Sequence, residues 1–408
     1  MQADINNRGD LPVFTGDLTR QAALPRESVE AVAEVLEAGR LHRYEPRPDG
    51  QSETMALERE YAEWQGAPYC LAVASGGQAL QIALRAAGVT AGDPVLANAF
   101  TLAPVPGAIT AVGARAVLVE ITEDLVIDLE DLARKADKAR VLMLSHMRGH
   151  HCDMDALMKI AQDRGLTVIE DCAHTMGARW NGTRSGNFGH AACFSTQSYK
   201  HINSGEGGLI TAFDPVFMAR AIMLSGSYML YERHGAAPDA EVFESIRLET
   251  PNMSARMDNV RAAMLRPQLA TLEINAQHWN RIHDRIAAGL ADIPSIHIPR
   301  RPSQEAYIGS SLQFAIPGMS GDQGSKFVAD LAARGITLKW FGANEPIGYT
   351  SNYQSWRYLP AQELPATDRI LRTVFDLRLP PTLSDSDCDL IVAHIRQAVS
   401  ALPMEAGQ

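Results

Sequence analysis

The most informative part of the chain reads CFSTQSYKHINSGEGG, residues 193–208. A short apolar run, 191–194, leads into it, and a second one, 208–212, follows it. We interpret both runs as strands, because each is short, apolar and bounded by turn-forming residues. Between them, Lys200 sits on an apolar scaffold, where it can be partly desolvated and lose some of its charge, as a Schiff-base lysine must. Most lysines are exposed, so this segment alone only suggests a catalytic lysine.

An acidic pair follows a strand further upstream. The run 166–169 is short and rich in β-branched residues, and it ends in Glu170 and Asp171. Ligands of α/β sheets bind at the carboxyl ends of the strands, which is where Asp171 falls. A pyridoxal phosphate (PLP) ring needs an acid facing its pyridine nitrogen and a lysine at its aldehyde, and Asp171 and Lys200 could supply them. The alternative interpretation of Asp171 is a helix N-cap or a loop acid.

A third segment predicts an anion site. Residues 69–74 are typical of a strand, Ser75, Gly76 and Gly77 of a tight turn, and residues 78–87 of a helix that begins at Gln78. Backbone amides at a helix N-terminus can bind a phosphate group when glycines leave them unobstructed. The same residues are equally compatible with an ordinary N-cap and turn.

Together these segments resemble the DegT/DnrJ/StrS family of PLP-dependent sugar aminotransferases, in particular the branch that acts on keto-sugars and keto-cyclitols in antibiotic pathways. The resemblance runs over most of the chain, and its most specific part is the pairing of the acid segment with the lysine segment. It implies an α/β protein of fold type I, with a large, mostly parallel sheet covered by helices on both faces. We assign residues 1–255 to a large PLP-binding domain with an N-terminal arm. Residues 256–408 are assigned to a long linking helix and a small C-terminal α/β domain.

The resemblance also implies a role for each candidate residue. Lys200 matches the Schiff-base lysine, which then moves a proton between substrate and cofactor, and Asp171 matches the acid at the pyridine nitrogen. His174 matches the position that contacts the ring hydroxyl, and its alternative is a structural histidine. The residues that match phosphate contacts, or could add to them, are Ser75, Gly76, Gly77, Gln78, Ser195 and Gln197.

Three positions depart from the family pattern. Leu102 stands where the family has an aromatic residue that stacks on the cofactor ring, and the lost stacking is worth about 0.5–1.5 kcal/mol. Ser254 stands where an asparagine reaches across a dimer interface to the cofactor phosphate, so the resemblance implies a homodimer with shared active sites. Residues 223–227 replace a segment that normally carries a basic residue and a histidine.

Composition and charge argue against several classes of partner. The chain has 408 residues, 46% of them hydrophobic, and a net charge of −11, which argues against nucleic acid and anionic membranes. We find no apolar run of about 18 residues that would predict a membrane span, and no signal-peptide pattern. The five cysteines are odd in number and lack paired spacing. We therefore expect reduced thiols and a cytoplasmic location.

A histidine-rich cluster could be taken for a metal site. His146, His150, His151 and Cys152 have side chains that bind zinc in other proteins. Adjacent ligands rarely converge on one ion, however, and no second cluster completes a site. We expect no metal, and a turn beside the cofactor instead.

The order of the remaining segments predicts the organisation of the chain. Helix-like and strand-like segments alternate from residue 28 to about 224, which favours a parallel sheet covered on both faces. Residues 228–251 are polar without a clear period, and we expect a mobile loop there. One long helix is expected from residue 256 to about 290. The small unit should contain strands at 311–316 and 337–340 and helices at 322–334 and 384–402.

Three hypotheses for the function follow. The first is a PLP-dependent aminotransferase that moves an amino group from glutamate or glutamine to a keto-sugar or keto-cyclitol in secondary-metabolite biosynthesis. The second is a PLP-dependent lyase or carbon–carbon bond-forming enzyme that acts on an amino-acid-derived substrate. The third is a sensor or scaffold without turnover. Lys200 and Asp171 argue against the third, because a scaffold needs neither residue.

Overall fold

The computed structural model describes residues 11–349 and 351–402. The first ten residues, which belong to the expected N-terminal arm, lie outside this range. The helices are α1 (Arg26–Ala38), α2 (Glu53–Gln65), α3 (Gly76–Ala86), α4 (Pro104–Ala111), α5 (Leu129–Lys135), α6 (Met154–Arg164), α7 (Pro215–Ser225), α8 (Ala240–Phe243), α9 (Asn259–Leu269), α10 (Leu272–Ala291), α11 (Gly321–Ala333), α12 (Pro365–Leu371) and α13 (Asp385–Ser400). The strands are β1 (Tyr69–Val73), β2 (Pro94–Asn98), β3 (Arg115–Val119), β4 (Val141–Ser145), β5 (Thr167–Asp171), β6 (Arg179–Trp180), β7 (Thr183–Arg184), β8 (Ala191–Ser195), β9 (Gly208–Ala212), β10 (Glu305–Ala306), β11 (Ser311–Ala315), β12 (Lys339–Trp340) and β13 (Val374–Arg378).

A seven-stranded sheet forms the centre of the large domain, with the strand order β1-β9-β8-β5-β4-β2-β3. The neighbours from β3 to β8 run parallel to one another. Only β9 runs antiparallel to its neighbours in this sheet. The expected α/β fold with a mostly parallel sheet is confirmed.

The strands are apolar throughout because helices cover both faces of the sheet. On one face, Val95 and Ile169 belong to a core that includes residues of α3, α4 and α7. On the other face, Leu96 and Val168 belong to a core that includes residues of α5 and α6. Alternate residues therefore enter opposite cores, and each fully buried aliphatic side chain contributes about 1.5–3 kcal/mol. A strand buried on both faces shows no polar alternation, as the sequence indicated.

A smaller antiparallel sheet, β11-β13-β12, forms the C-terminal unit. Its core also contains residues of α10, α11 and α13. We did not predict β13, because Asp376 and Arg378 interrupt its apolar pattern. Phe14 lies in this same core, and its amide donates to the carbonyl of Arg334 at 2.9 Å. This part of the N-terminal region, which we assigned to the large domain, therefore packs against the small one.

The single helix expected from residue 256 to about 290 is wrong. The structure has two helices, because α9 ends at Leu269 and α10 begins at Leu272. Pro267 lies in the last turn of α9, and the helix continues for two residues beyond it. The helical period in the sequence continues through this point, so it did not reveal the break.

The segment 228–251, where we expected a mobile loop, has some regular structure. It contains a 3₁₀ turn and the short helix α8. The rings of Tyr231 and Phe243 stack at 4.2 Å, and both residues are buried. His234 is also buried, with Nδ1 3.0 Å from Nη2 of Arg43. Aromatic residues spaced without a period anchor this segment, and a search for periodicity misses such anchors.

In the described part of the chain, no helix is both long and apolar enough to cross a bilayer. All five cysteines are buried and free of disulfides.

Candidate active site

The carboxyl ends of three parallel strands bring the first candidate residues together. β4 ends at Ser145, β5 at Asp171 and β8 at Ser195. β5 lies between the other two strands, and the register places Ser145 and Cys193 on either side of Asp171. This is the sheet edge at which α/β proteins bind their ligands, as we predicted for Asp171.

Lys200 lies in the turn between β8 and β9. Its Nζ atom is 2.9 Å from Nε2 of His174. Burial lowers the pKa of Lys200 to about 8, and the carboxylate of Asp171 opposes that shift. The guanidinium groups of Arg148 and Arg378 lower the pKa further. A lysine of this kind is partly uncharged near neutral pH, so it can act as a nucleophile and as a proton carrier.

Asp171 is buried and is held in place by hydrogen bonds. The hydroxyl of Ser145 donates to Oδ2 at 3.0 Å, and the amide of Ala173 donates to Oδ1 at 3.2 Å. Thr101 in turn donates to Oγ of Ser145 at 2.7 Å. Burial raises the pKa of Asp171, and nearby Lys200 partly offsets this increase. The carboxylate is therefore fixed in orientation and binds a proton more tightly than an exposed aspartate.

His174 connects Lys200 to the turn after β4. The amide of Arg148 donates to Nδ1 of His174 at 3.3 Å. Burial lowers the pKa of His174 well below its usual value, and the charge of Lys200 adds to this effect. A neutral imidazole that accepts at Nδ1 carries its hydrogen on Nε2. That hydrogen can be donated to the uncharged amine of Lys200.

The N-terminus of α3 is the predicted anion site, which we call the cup. Oγ of Ser75 accepts a hydrogen bond from the amide of Gln78 at 3.1 Å, so Ser75 is indeed an N-cap. The amides of Gly76 and Gly77 belong to the first turn, where a helix supplies no internal acceptor. A Cβ atom at Gly76 would lie 2.8 Å from Cβ of Ser195. Glycine is therefore required to bring α3 against the end of β8, beside the lysine segment.

A cavity of about 210 Å³ opens over Lys200. Of the predicted residues, the structure places Leu102, His174, Gln197 and Lys200 along its wall. The other lining residues were not predicted, and they include Arg148, Trp279, Tyr349 and Arg378. The signal for Arg148 was available, because it is a charged residue three positions after the end of the buried strand β4. Trp279, Tyr349 and Arg378 come from the C-terminal half, and only the fold brings them to the cavity.

The departures from the family pattern lie in different environments. Leu102 is half-buried in the cavity wall. Ser254 is exposed outside the cavity, with φ 51°, and its amide donates to Asn252 at 2.9 Å. Within this single chain, Ser254 therefore does not join the other candidates. Ser225 and Ser227 are fully buried and donate to Ile222 and Met223, so they stabilise the end of α7 rather than line the cavity.

Each member of the histidine cluster has a protein partner. The pairs are His146 Nε2 with Glu170 Oε2 at 2.9 Å, His150 Nε2 with Gln313 Oε1 at 2.7 Å, and His151 Nδ1 with Glu305 Oε1 at 2.9 Å. His146, Glu170 and Cys172 offer donor atoms within 4.8 Å of one another. Glu170 already accepts from three backbone amides as well as facing His146, so its oxygens are engaged. The cluster holds the turn after β4 against its neighbours.

Comparisons with known proteins agree with this site. The model of the DegT/DnrJ/EryC1/StrS aminotransferase family matches residues 23–396. The chain belongs to this family. It is 28% identical over 355 residues to dTDP-3-amino-3,4,6-trideoxy-alpha-D-glucose transaminase of Micromonospora megalomicea subsp. nigra, which covers 85% of this chain and 89% of that protein.

Two further relatives of this aminotransferase extend the comparison. It is 30% identical over 293 residues to 3-amino-5-hydroxybenzoate synthase of Amycolatopsis mediterranei (strain S699), covering 70% of this chain and 73% of that protein. The crystal structure of S. venezuelae DesV in complex with a ketimine intermediate superposes with a TM-score of 0.75 at 28% identity. The match covers 91% of this chain and 94% of that chain.

The cofactor of this aminotransferase is pyridoxal phosphate. The residues present fit that group on three counts. Lys200 is a lysine of lowered pKa, Asp171 is a buried and oriented carboxylate, and the first amides of α3 are kept open by glycine.

Proposed function

We propose that this aminotransferase moves an amino group from glutamate or glutamine to a keto-sugar or keto-cyclitol in secondary-metabolite biosynthesis. The observation that carries the proposal is the position of Lys200, a lysine of lowered pKa, in the cavity wall, with the buried carboxylate of Asp171 close enough to oppose that shift. Relatives named for an aminosugar transaminase and for an aminohydroxybenzoate synthase support this substrate class. The identities of the substrate and of the product remain part of the proposal.

We propose for each residue the role that the resemblance to the family implies. Lys200 holds the cofactor and, once released, carries a proton on Nζ. Asp171 holds the proton of the pyridine nitrogen, and His174 keeps Lys200 in place and contacts the ring hydroxyl. The phosphate is assigned to the cup formed by Ser75, Gly76, Gly77 and Gln78, with Ser195 and Gln197 beside it and Ser254 contributed across a dimer interface. Leu102 is assigned to one face of the ring.

Bound PLP acts as an electron sink for the bond broken at the amino-bearing carbon of the substrate. The protein has to place a base beside that carbon and keep the ring nitrogen protonated. Lys200 fits the first task, because its lowered pKa leaves part of it uncharged near neutral pH. Asp171 fits the task of keeping the ring nitrogen protonated. Burial disfavours its charged form, so the carboxylate is stabilised when it shares a proton with a neighbouring group.

The half-reaction with the donor tests this function. Incubating the PLP-loaded protein with L-glutamate or L-glutamine, without an acceptor, should release about one equivalent of the 2-oxo acid per site, because the amino group stays on the enzyme. Asp171→Asn should retain PLP and lose at least about 100-fold in rate. The matched control is Asp163→Asn, at an exposed position of α6, and it should leave the rate unchanged. Release is measured by chromatography of the oxo acid.

Borohydride reduction tests the residue assignments in the same preparation. Mass spectrometry should locate the reduced cofactor on the peptide that contains Lys200, and an adduct on another lysine would contradict that role. If a broad panel of amino donors yields no oxo acid, transamination is wrong. The second candidate, a lyase or carbon–carbon bond-forming enzyme, would then replace it. Leu102 in the cavity wall supports that candidate, because it stands where the family has an aromatic residue that stacks on the cofactor ring.

We further propose that the protein is a homodimer whose subunits share their active sites. We also propose that it is located in the cytoplasm. The exposure of Ser254 outside the cavity supports a crossing contact, since a residue with no role in its own chain's cavity is free to reach a second copy. Five buried thiols without a disulfide support a reducing compartment.

A further inference from the structure

Within residues 11–349 and 351–402, no acidic side chain forms an ion pair with Arg378 at the wall of the active-site cavity. It is the last residue of β13 and is half-buried. Its guanidinium lies over the ring of Tyr199, with 3.8 Å from Cζ to the ring centroid. Among the described residues, its side chain donates to no carboxylate or carbonyl. The ring of Tyr199, the residue before Lys200, therefore anchors the guanidinium of Arg378. The N–H donors of that guanidinium remain available to a ligand.

Arg148, the second arginine of the wall, is already neutralised. Its guanidinium forms an ion pair with Asp376 at 2.7 Å, and both side chains are buried. Asp376 also accepts from Nε2 of Gln313 at 2.7 Å and from the hydroxyl of Tyr349. These contacts occupy the only carboxylate on β13, two residues from Arg378. The charge of Arg148 is therefore offset, and the charge of Arg378 is not.

The uncompensated charge acts on the reacting centre. Arg378 and Arg148 both lower the pKa of Lys200 and of His174, so the guanidinium of Arg378 lies within electrostatic reach of both groups. The adjoining wall is formed by Leu379, Pro380 and Pro381, which carry no side-chain donors or acceptors. Such a wall weakens the screening by water and strengthens the attraction of Arg378 for an anion.

We propose that Arg378 binds the carboxylate of the amino donor and so holds the amino-bearing carbon beside Lys200. This inference deepens the proposed function and rests on it for the identity of the ligand. A guanidinium presents two parallel N–H donors whose spacing matches a carboxylate, which makes arginine the usual residue for this task. A neutral keto-sugar has no carboxylate, so Arg378 would discriminate the donor from the acceptor in a cavity that both must enter.

Binding to an enzyme that cannot turn over tests the site apart from the reaction. The holoenzyme is reduced with borohydride and titrated by calorimetry with glutarate and with its uncharged isostere glutaramide. Glutarate should bind more tightly than glutaramide. Arg378→Gln should weaken glutarate binding about 10- to 100-fold, the range expected when a hydrogen bond to a charged group is lost, and should leave glutaramide unchanged. Arg378→Lys should restore part of the affinity, because it retains the charge without the fork.

Arg372→Gln is the matched control, because Arg372 is an exposed arginine of the same domain outside the cavity. It should bind glutarate like the unmodified protein. The inference is overturned if glutarate and glutaramide bind equally, if neither binds, or if Arg378→Gln weakens both to the same extent.

Turnover then separates the two proposals. In Arg378→Gln, the half-saturating concentration of L-glutamate in the half-reaction should rise about 10- to 100-fold, while the amount of bound PLP should not change. If glutarate binding depends on Arg378 and yet no amino donor reacts, the carboxylate site stands and the proposed function fails. If amino donors react and Arg378→Gln leaves their half-saturating concentrations unchanged, the proposed function stands and the carboxylate site is wrong.

Discussion

At the scale of single residues, the properties of Lys200 come from groups far apart in the sequence. Asp171 is at the end of β5, Arg148 in the turn after β4, and Arg378 at the end of β13. The carboxylate raises the pKa of Lys200, whereas both guanidinium groups and burial lower it, to about 8. Removing the carboxylate should therefore lower the pKa of Lys200, and removing a guanidinium group should raise it.

Competitive acetylation of the cofactor-free protein measures this pKa, since only the uncharged amine reacts. With a pKa of about 8, roughly one tenth of Lys200 is uncharged at pH 7, and its labelling should rise with pH and level off above about pH 9. Asp171→Asn should shift the curve to lower pH, because a charge that favours the ammonium form is lost. Arg378→Gln should shift it to higher pH for the converse reason.

Exposed Lys326 on α11 supplies the internal reference for the reagent in every sample. Mass spectrometry of the peptide that contains Lys200 gives the extent of labelling. Identical curves for the three proteins would show that neither charge acts on Lys200 and would refute the electrostatic account of its reactivity.

The sequence predicted those candidate site residues that can be recognised from the residues next to them in the chain. Lys200, Asp171 and the cup around Gly76 each follow a short apolar strand, and strand ends in an α/β sheet share one edge. Arg378 could not be predicted in this way, because its role depends on the pairing of Asp376 with Arg148, and these residues lie far apart in the chain. Ionic partners across a fold leave no periodic signal.

At the scale of elements, close backbone contacts set the geometry of the cup. Gly208 begins β9, and a Cβ atom there would lie 2.5 Å from the carbonyl oxygen of Ser75. β9 therefore packs directly on the turn that opens α3. Secondary-structure patterns located both elements, but they did not show that β9 runs antiparallel between β1 and β8.

Gly208→Ala should open this contact. The added methyl group has to push the backbone of Ser75 away, which we expect to lower the free energy of unfolding by about 1–3 kcal/mol and to weaken PLP binding. Gly107→Ala in α4 is the matched control, because no atom lies within 4 Å of its Cβ position. Alanine there should raise stability by about 0.5–1 kcal/mol. Urea unfolding and PLP titration test both; equal behaviour of the two variants would contradict the packing argument.

The two features that the sequence did not predict correctly have different physical origins. They are the break between α9 and α10 and the strand β13. The helical period continues past Leu269 although α9 ends there, and β13 keeps its strand conformation although it contains two charged residues. The periodic pattern does not locate the end of α9, and in β13 the ion pair with Arg148 offsets part of the cost of burying Asp376.

At the scale of the whole molecule, one strained surface remains unexplained by the single chain. Tyr228, Met229 and Ser254 all have positive φ values, of 52°, 63° and 51°, and all three are exposed. Residues other than glycine adopt such values at a cost of about 1–3 kcal/mol and usually do so where function requires it. The segments that carry them lie side by side, since the amide of Met253 donates to Leu224 at 2.9 Å. A second copy of the chain would account for both the exposure and the strain.

We therefore expect a homodimer whose interface includes this surface. The protein should sediment at twice its chain mass of 44.4 kDa. Met229→Asp should shift it toward the monomer and weaken PLP binding, because a buried charge opposes association and the contact at Ser254 is lost with the partner. The control is Ile274→Asp, because Ile274 is an exposed apolar residue on α10, outside the segments that carry the strained residues. This variant should change neither the sedimentation nor PLP binding. Analytical ultracentrifugation with PLP titration decides the matter, and an unmodified protein that sediments as a fully active monomer would remove the shared active site together with the role of Ser254.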